Sequence, residues 1–198
     1  MRLIAVLLAL LLAACGTLSP APAPTAPPAL YLAHLAQIKH INAFAMHGRI
    51  AILTQAKGFS GGVRWHHHVD GDDIGLYSPL GSQLGQITRD QTGVTLTNSS
   101  GNSLHANDAE TLTQQALGWS LPLSGLADWM LGRPANDAVE VLAWDDNGNI
   151  TRMQQQGWDI QYTAYKTYEG IPLPGKITLK NQKLDLKLVV EDWEYGTE

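Results

Sequence analysis

The sequence is short of the residues that usually carry chemistry or lock a fold. Its one cysteine is Cys15, so an internal disulfide and a cysteine-based metal site are both excluded, and in an oxidising compartment the core must hold by packing alone. Charge is sparse and slightly acidic, with a formal net of −5 and no basic block. That argues against nucleic acid as a partner and against polybasic attachment to anionic lipid. The longest apolar run, Leu3 to Leu12, covers about ten residues where a membrane-spanning helix needs about 20. There is no G-x-S-x-G motif. Gly61-Gly62 is not followed by a helical pattern, so it reads as a kink or bulge in a sheet and not as a phosphate loop.

What is present begins with a leader. Arg2 is a short positive segment, Leu3 to Leu12 has the length of a signal-peptide core, and Leu12-Ala13-Ala14-Cys15 follows. This stretch resembles the bacterial lipobox, which predicts residues 1–14 as a signal peptide and Cys15 as the lipidated first residue of the mature chain. Two or more acyl chains on Cys15 would anchor firmly where one would not. The residue after it is Gly16 and not Asp, which implies outer-membrane placement if the source follows the enteric sorting rule. Residues 15–29 then form a tether, since Pro20, Pro22, Pro24, Pro27 and Pro28 preclude helix and sheet and favour an extended, semi-rigid chain. Residues 30–198 are long enough for one domain with its own core.

Within that domain the apolar positions Tyr31, Leu32, Leu35, Ile38 and Ile41 have helical spacing and predict a short amphipathic helix. From Phe44 the period changes to two. Strands are expected around 44–52, 59–68, 72–78, 83–89, 93–97 and 102–105, divided by turns such as Lys57-Gly58, Asp70-Gly71 and Ser100-Gly101-Asn102. A helix capped by Asn107 or Asp108 should end at Gly118, Leu121-Pro122-Leu123 should link it to a second helix capped by Ser124, and Gly132 with Pro134 should stop that one. Strands resume at about 138–144, 149–156, 158–165, 176–180 and 184–191, with a Pro/Gly loop over 169–175. Eleven strands of this kind must curl around their apolar face, and the inserted helices are placed to cover it.

Few constellations suggest chemistry. His66, His68 and Asp70 would share one face of a strand, but they span about 13 Å, too far for one ion on a regular strand; no metal is expected. Asp72/Asp73, Asp145/Asp146 and Glu191/Asp192 fall at turns or strand ends, where Asp usually serves turn geometry. No catalytic residue and no cofactor are expected, and the chain is not read as an enzyme. Leu76-Tyr77-Ser78-Pro79-Leu80-Gly81 is a hairpin tip in which Pro79 stops the strand and Gly81 permits the turn. Leu80 either folds back on the core or stands exposed to touch something. The six tryptophans fit an ordinary core, and Trp65, Trp129 and Trp158 are candidates to line an apolar cavity.

Several motifs together resemble the LolB family. They are the lipobox, Gly48-Arg49-Ile50-Ala51, Ser60-Gly61 through Trp65, Ser78-Pro79-Leu80-Gly81, Leu131-Gly132-Arg133-Pro134, Gly157-Trp158-Asp159-Ile160-Gln161-Tyr162, and Leu186 to Val190 leading to Trp193. The resemblance implies a mainly β fold, a half-open antiparallel β-barrel with a helical lid over an apolar cavity. It implies a monomeric receptor, lipid-anchored on the periplasmic face of the outer membrane. Such a receptor takes lipoprotein cargo by its acyl chains from the periplasmic carrier LolA and inserts it into outer-membrane lipid. Leu80, with Pro79 and Gly81, aligns with the family's membrane-inserting loop. Three other readings of the residues compete with it: a general lipid- or hydrophobe-binding envelope lipoprotein, a structural envelope lipoprotein, and, third, an enzyme, which would need metal at His66 and His68 or a carboxylate pair in a cleft.

Overall fold

The computed structural model describes residues 27–55, 58–117 and 123–197. The signal peptide, Cys15 and most of the tether lie outside these residues. So do Lys57, the Gly118 stop, Trp119, Leu121-Pro122 and the side chain of Ser124. Helix α1 (Ala29–Ile38) leads into eleven strands: β1 (Ile41–Thr54), β2 (Gly58–His68), β3 (Gly71–Tyr77), β4 (Gln83–Asp90), β5 (Gly93–Asn98) and β6 (Ser103–Ala106) come first. Helices α2 (Ala109–Leu117) and α3 (Leu123–Met130) follow, then β7 (Val139–Trp144), β8 (Ile150–Gln155), β9 (Trp158–Tyr168), β10 (Ile171–Lys180) and β11 (Leu184–Thr197).

All eleven strands form one antiparallel sheet in the order β6-β5-β4-β3-β2-β1-β11-β10-β9-β8-β7. Every neighbour is a sequence neighbour except β1 and β11, which pair at the centre from Ile41–Thr197 to Thr54–Leu184. The first and last strands therefore lie at the centre of the sheet, and the edges β6 and β7 are joined by the helical insertion. The sheet is open, curling as such long sheets do, and α2 and α3 run from one edge toward the other. Period-two alternation is visible in burial: Met46, Ile50, Val63, Trp65, Ile74, Ile87, Leu186 and Leu188 are buried, while His47, Arg49, Arg64 and His66 between them are exposed.

Two sequence expectations change. Residues 169–175 are mostly strand: Glu169 and Gly170, both at positive φ, make a two-residue turn, and β10 starts at Ile171. Pro172 and Pro174 are tolerated because β10 pairs with β11 only from Lys176 onward, so no ladder hydrogen bond is required on that side. In α1 the buried side chains are Tyr31, His34 and Ile38, whereas Leu32 is exposed. The helix ends at Ile38, and Ile41 is buried as the first residue of β1. Spacing alone ranked apolar Leu32 above polar His34, and the docking of α1 on the β7–β10 half reverses them. Tyr31 meets Trp144 at 5.3 Å and His34 meets Tyr165 edge-on at 6.4 Å. Among the described residues no helix is long and apolar enough to cross a membrane.

Candidate functional site

The inner face of the sheet is built from cross-strand rows. One row reads Met46-Trp65-Ile74-Ile87-Leu96-Leu104 from β1 to β6. Between this row, Leu186 and Leu188 of β11, and the two inserted helices lies a cavity of about 80 Å³ with a wholly apolar wall. Trp65, Ile74 and Ile87 line it from the sheet, Leu126 and Met130 from α3, and Thr113 from α2. Thr113 donates its hydroxyl to the Ala109 carbonyl at 2.8 Å, as expected of a threonine back-bonded within a helix.

Of the three tryptophans proposed to line a cavity, Trp65 is in its wall. Trp129 and Trp158 are placed beside it, packed on each other at 6.3 Å in the core under α3. Their role is to fix that helix. Trp129 donates to Gln155 Oε1 at 2.7 Å, and Gln155, fully buried on β8, also takes the Ala135 amide and donates to the Ala135 and Asp137 carbonyls. Tyr162 donates its hydroxyl to the Trp129 carbonyl at 2.8 Å. The Leu131-Gly132-Arg133-Pro134 motif closes α3 with Gly132 at φ +75°, Gly132 N–H bonding Trp129 O and Arg133 N–H bonding Asp128 O, a Schellman cap. Arg133 adds an ion pair to Asp128 and a hydrogen bond to Ile38 O, an end-of-helix carbonyl of α1. At the start of α2, Asp108 accepts the Thr111 amide at 2.7 Å, and Thr113 donates back to the Ala109 carbonyl.

Sequence reasoning missed the polar group of the inner face. The row next to the cavity reads Phe44-His67-Asp72-Arg89. Asp72, read as a turn residue, is a correction: its side chain is buried and accepts from Trp65 Nε1 at 2.8 Å and Arg89 Nε at 2.5 Å, with His67 Nδ1 at 2.6 Å. Burial alone would raise the carboxyl, but the bonds from His67, Arg89 and Trp65 outweigh it and hold Asp72 below the usual carboxylate range. The Phe44 ring covers the group, contacting Trp65, His67 and Trp193 at 4.9–5.2 Å. Alternation on β2 and β3 gave a faint signal, since it puts His67 and Asp72 in the same inward rows as Trp65 and Ile74. His66 and His68 point outward, and Asp70 is exposed in the turn. Asp145 does serve a turn, accepting the Asn147 and Asn149 amides.

At one end of the sheet Leu80 is 96% exposed, the most exposed large apolar side chain among the described residues. Its loop is stiff: Gly81 N–H bonds Ser78 O at 2.9 Å, Ser78 N–H bonds Ser82 O at 2.8 Å, and Gly81 sits at φ +88°. Pro79 and Gly81 hold Leu80 away from the core, which removes the fold-back alternative.

Residues 42–193 match the family described as Outer membrane lipoprotein LolB. An outer-membrane lipoprotein LolB of Nitrosomonas europaea is 38% identical over 156 residues, covering 78% of this chain and 74% of that one. One from Stutzerimonas stutzeri is 33% identical over 195 residues, covering 98% and 95%, and one from Thiobacillus denitrificans is 34% identical over 196 residues, covering 98% of each. Among solved structures, a LolA superfamily protein from Nitrosomonas europaea superposes with a TM-score of 0.50 at 9% identity, covering 85% of this chain and 94% of that one. A DUF1329 family protein from Desulfovibrio piger reaches 0.51 at 6%, covering 84% and 90%. These two share the fold. The chain belongs to the LolB family of outer-membrane lipoproteins.

Proposed function

We propose that this protein is a lipid-anchored receptor that takes lipoproteins by their acyl chains into its apolar cavity and places them in the outer membrane. Cys15 carries the anchor and the Leu80 hairpin enters the bilayer. The observation that carries the reading is the pairing of a wholly apolar inner cavity with a fully presented leucine on a rigid loop of the same sheet. An acyl chain costs about 0.8 kcal/mol per CH₂ exposed to water, so cargo cannot cross an aqueous space unshielded. Hand-over from a soluble carrier such as LolA needs only a rising affinity for the chains from carrier to receptor to bilayer. No bond is made or broken, and no catalytic group is assigned.

At about 80 Å³ the cavity is far below the roughly 300–1,000 Å³ of ordinary ligand sites. Loading therefore moves a wall. Helix α3 is held on β8 and β9 by buried hydrogen bonds and is the fixed wall.

Leu80→Glu tests the reading. Folding should be untouched, with a stability change below about 0.5 kcal/mol for a surface site. The variant should accept acylated cargo from the carrier and fail to release it into liposomes. Normal delivery by this variant would remove the hairpin from the mechanism. Equal displacement of a bound hydrophobic probe by acylated and unacylated peptide would point to a structural envelope lipoprotein instead.

A further inference from the structure

The outer face of the sheet, opposite the cavity, carries a feature that acyl binding does not use. Beside the Leu80 loop lies a groove of about 470 Å³, whose walls include Arg49, Arg64, Tyr77, Ser78 and Glu191 over the backbone of Gly61 and Gly62. Arg64 holds its guanidinium 4.9 Å from the Tyr77 ring centroid, a cation–π placement. Arg49 stands 74% exposed and pairs with Glu191 at 2.8 Å, and His47 lies 4.0 Å from the same carboxylate. The groove thus presents two arginines and one carboxylate, a net positive wall on an acidic protein.

Its position fits one occupant. Tyr77 is in register with Gly62, and Gly62 with Arg49. Leu80 is three residues beyond Tyr77, so along the strand direction the Arg49 backbone stands no more than about 10 Å from the level of the loop tip, with two strand spacings of about 4.8 Å to the side. An arginine side chain shortens that distance, and the headgroup layer of one leaflet is roughly 5–8 Å deep. On the neighbouring hairpin Leu53, 61% exposed and four residues past Arg49 in the same direction, reaches toward the same end. Two apolar tips therefore flank the groove from below, and Tyr77 occupies the level at which interfacial aromatics sit. Arginine matches phosphate by its forked donors.

We propose that this groove docks the phosphate of a membrane phospholipid headgroup on Arg49 and Arg64 when the Leu80 hairpin inserts. The inference rests on the insertion reading above. It makes insertion a two-part contact, apolar at the tip and electrostatic at the headgroup level, which orients the cavity relative to the bilayer.

The test uses the full acylated protein. It is placed in bilayers of phosphatidylethanolamine with phosphatidylglycerol, in bilayers of phosphate-free digalactosyldiacylglycerol, and in dodecyl maltoside micelles. Arginines are modified with phenylglyoxal and read by peptide mass spectrometry, with exposed Arg152 as internal reference. The expected result is modification of Arg49 and Arg64 at least fivefold slower in the phospholipid bilayer than in the other two states, with Arg152 unchanged. Equal protection in both bilayers would mean simple shielding, and equal rates in all three would mean no contact; either overturns the proposal. Equal protection in micelles by millimolar inorganic phosphate would mark a soluble-anion site and overturn it too. Protection of both arginines together with normal delivery by Leu80→Glu would instead count against the insertion reading while leaving phosphate contact in place.

Discussion

If the inner cavity is the acyl site, enlarging it should trade stability for affinity. Met130 is the side chain of choice, because it is 2% exposed and faces the cavity from α3, the helix that stays fixed. Met130→Ala removes about three heavy atoms from a wall that already adjoins empty space. Large-to-small changes of this kind cost about 2–5 kcal/mol. At about 2–4 °C per kcal/mol for a domain of this size, the thermal midpoint should fall by roughly 5–15 °C. The added space is apolar and should stay dry, as such cavities do. A ligand that refills it recovers part of the lost burial at about 0.8 kcal/mol per CH₂. Recovery of about 1.4 kcal/mol, under two methylenes, tightens binding tenfold. The assay is titration of the soluble domain with a fluorescent alkyl-chain probe, beside thermal unfolding of the same samples. Leu173→Ala is the control, since Leu173 is fully buried and outside the cavity wall; it should lose similar stability with no gain in affinity. If Met130→Ala is destabilised and its probe affinity is unchanged or weaker, acyl chains do not enter where Met130 stands.

Three further outcomes follow from the polar groups. Gln155→Leu leaves the buried Trp129 indole N–H and the Ala135 amide without partners; it should cost about 3–5 kcal/mol in denaturant unfolding at roughly 1–3 kcal/mol per orphaned group, and hydrogen exchange should show α3 loosened. Asp72 has a depressed carboxyl, so its contribution is complete above the unfolded value of about 3.9 and is lost as pH falls through the lower folded value. Asp72→Asn should lose about 2–4 kcal/mol at neutral pH, with the Arg89 guanidinium left uncompensated, and its stability should fall less than the parent's below about pH 4. His34 is buried with Nε2 unpartnered among the described residues, and burial lowers its pKa against a weaker opposing pull from Asp145; the unfolded chain therefore binds the proton better, stability should drop as pH falls below about 6.5, and His34→Leu should flatten that limb in pH-dependent unfolding.

The sequence by itself determined most of the fold, for a physical reason. Period-two alternation, turn glycines and short connections are local signals, and nine of the eleven strands pair only with sequence neighbours. The helix starts and stops were local as well: Asp108 caps α2 with its own carboxylate, and Gly132 ends α3. Leu80 could be singled out because Pro79 and Gly81 fix a turn whatever surrounds it. What only the tertiary structure decided was everything set by a distant partner. Pro172 and Pro174 could enter a strand because β11 leaves them unpaired on one side. His34 replaced Leu32 in the helix interface because Tyr165 and Trp144 lie where α1 docks. Asp72 became a buried anchor because β2 and β4 bring His67 and Arg89 to it. Which tryptophan faced the cavity was likewise beyond the sequence. All three candidates are buried, and burial is all that composition and alternation encode; only the packing of α3 on β8 turns Trp129 and Trp158 to structural use and leaves Trp65 in the wall.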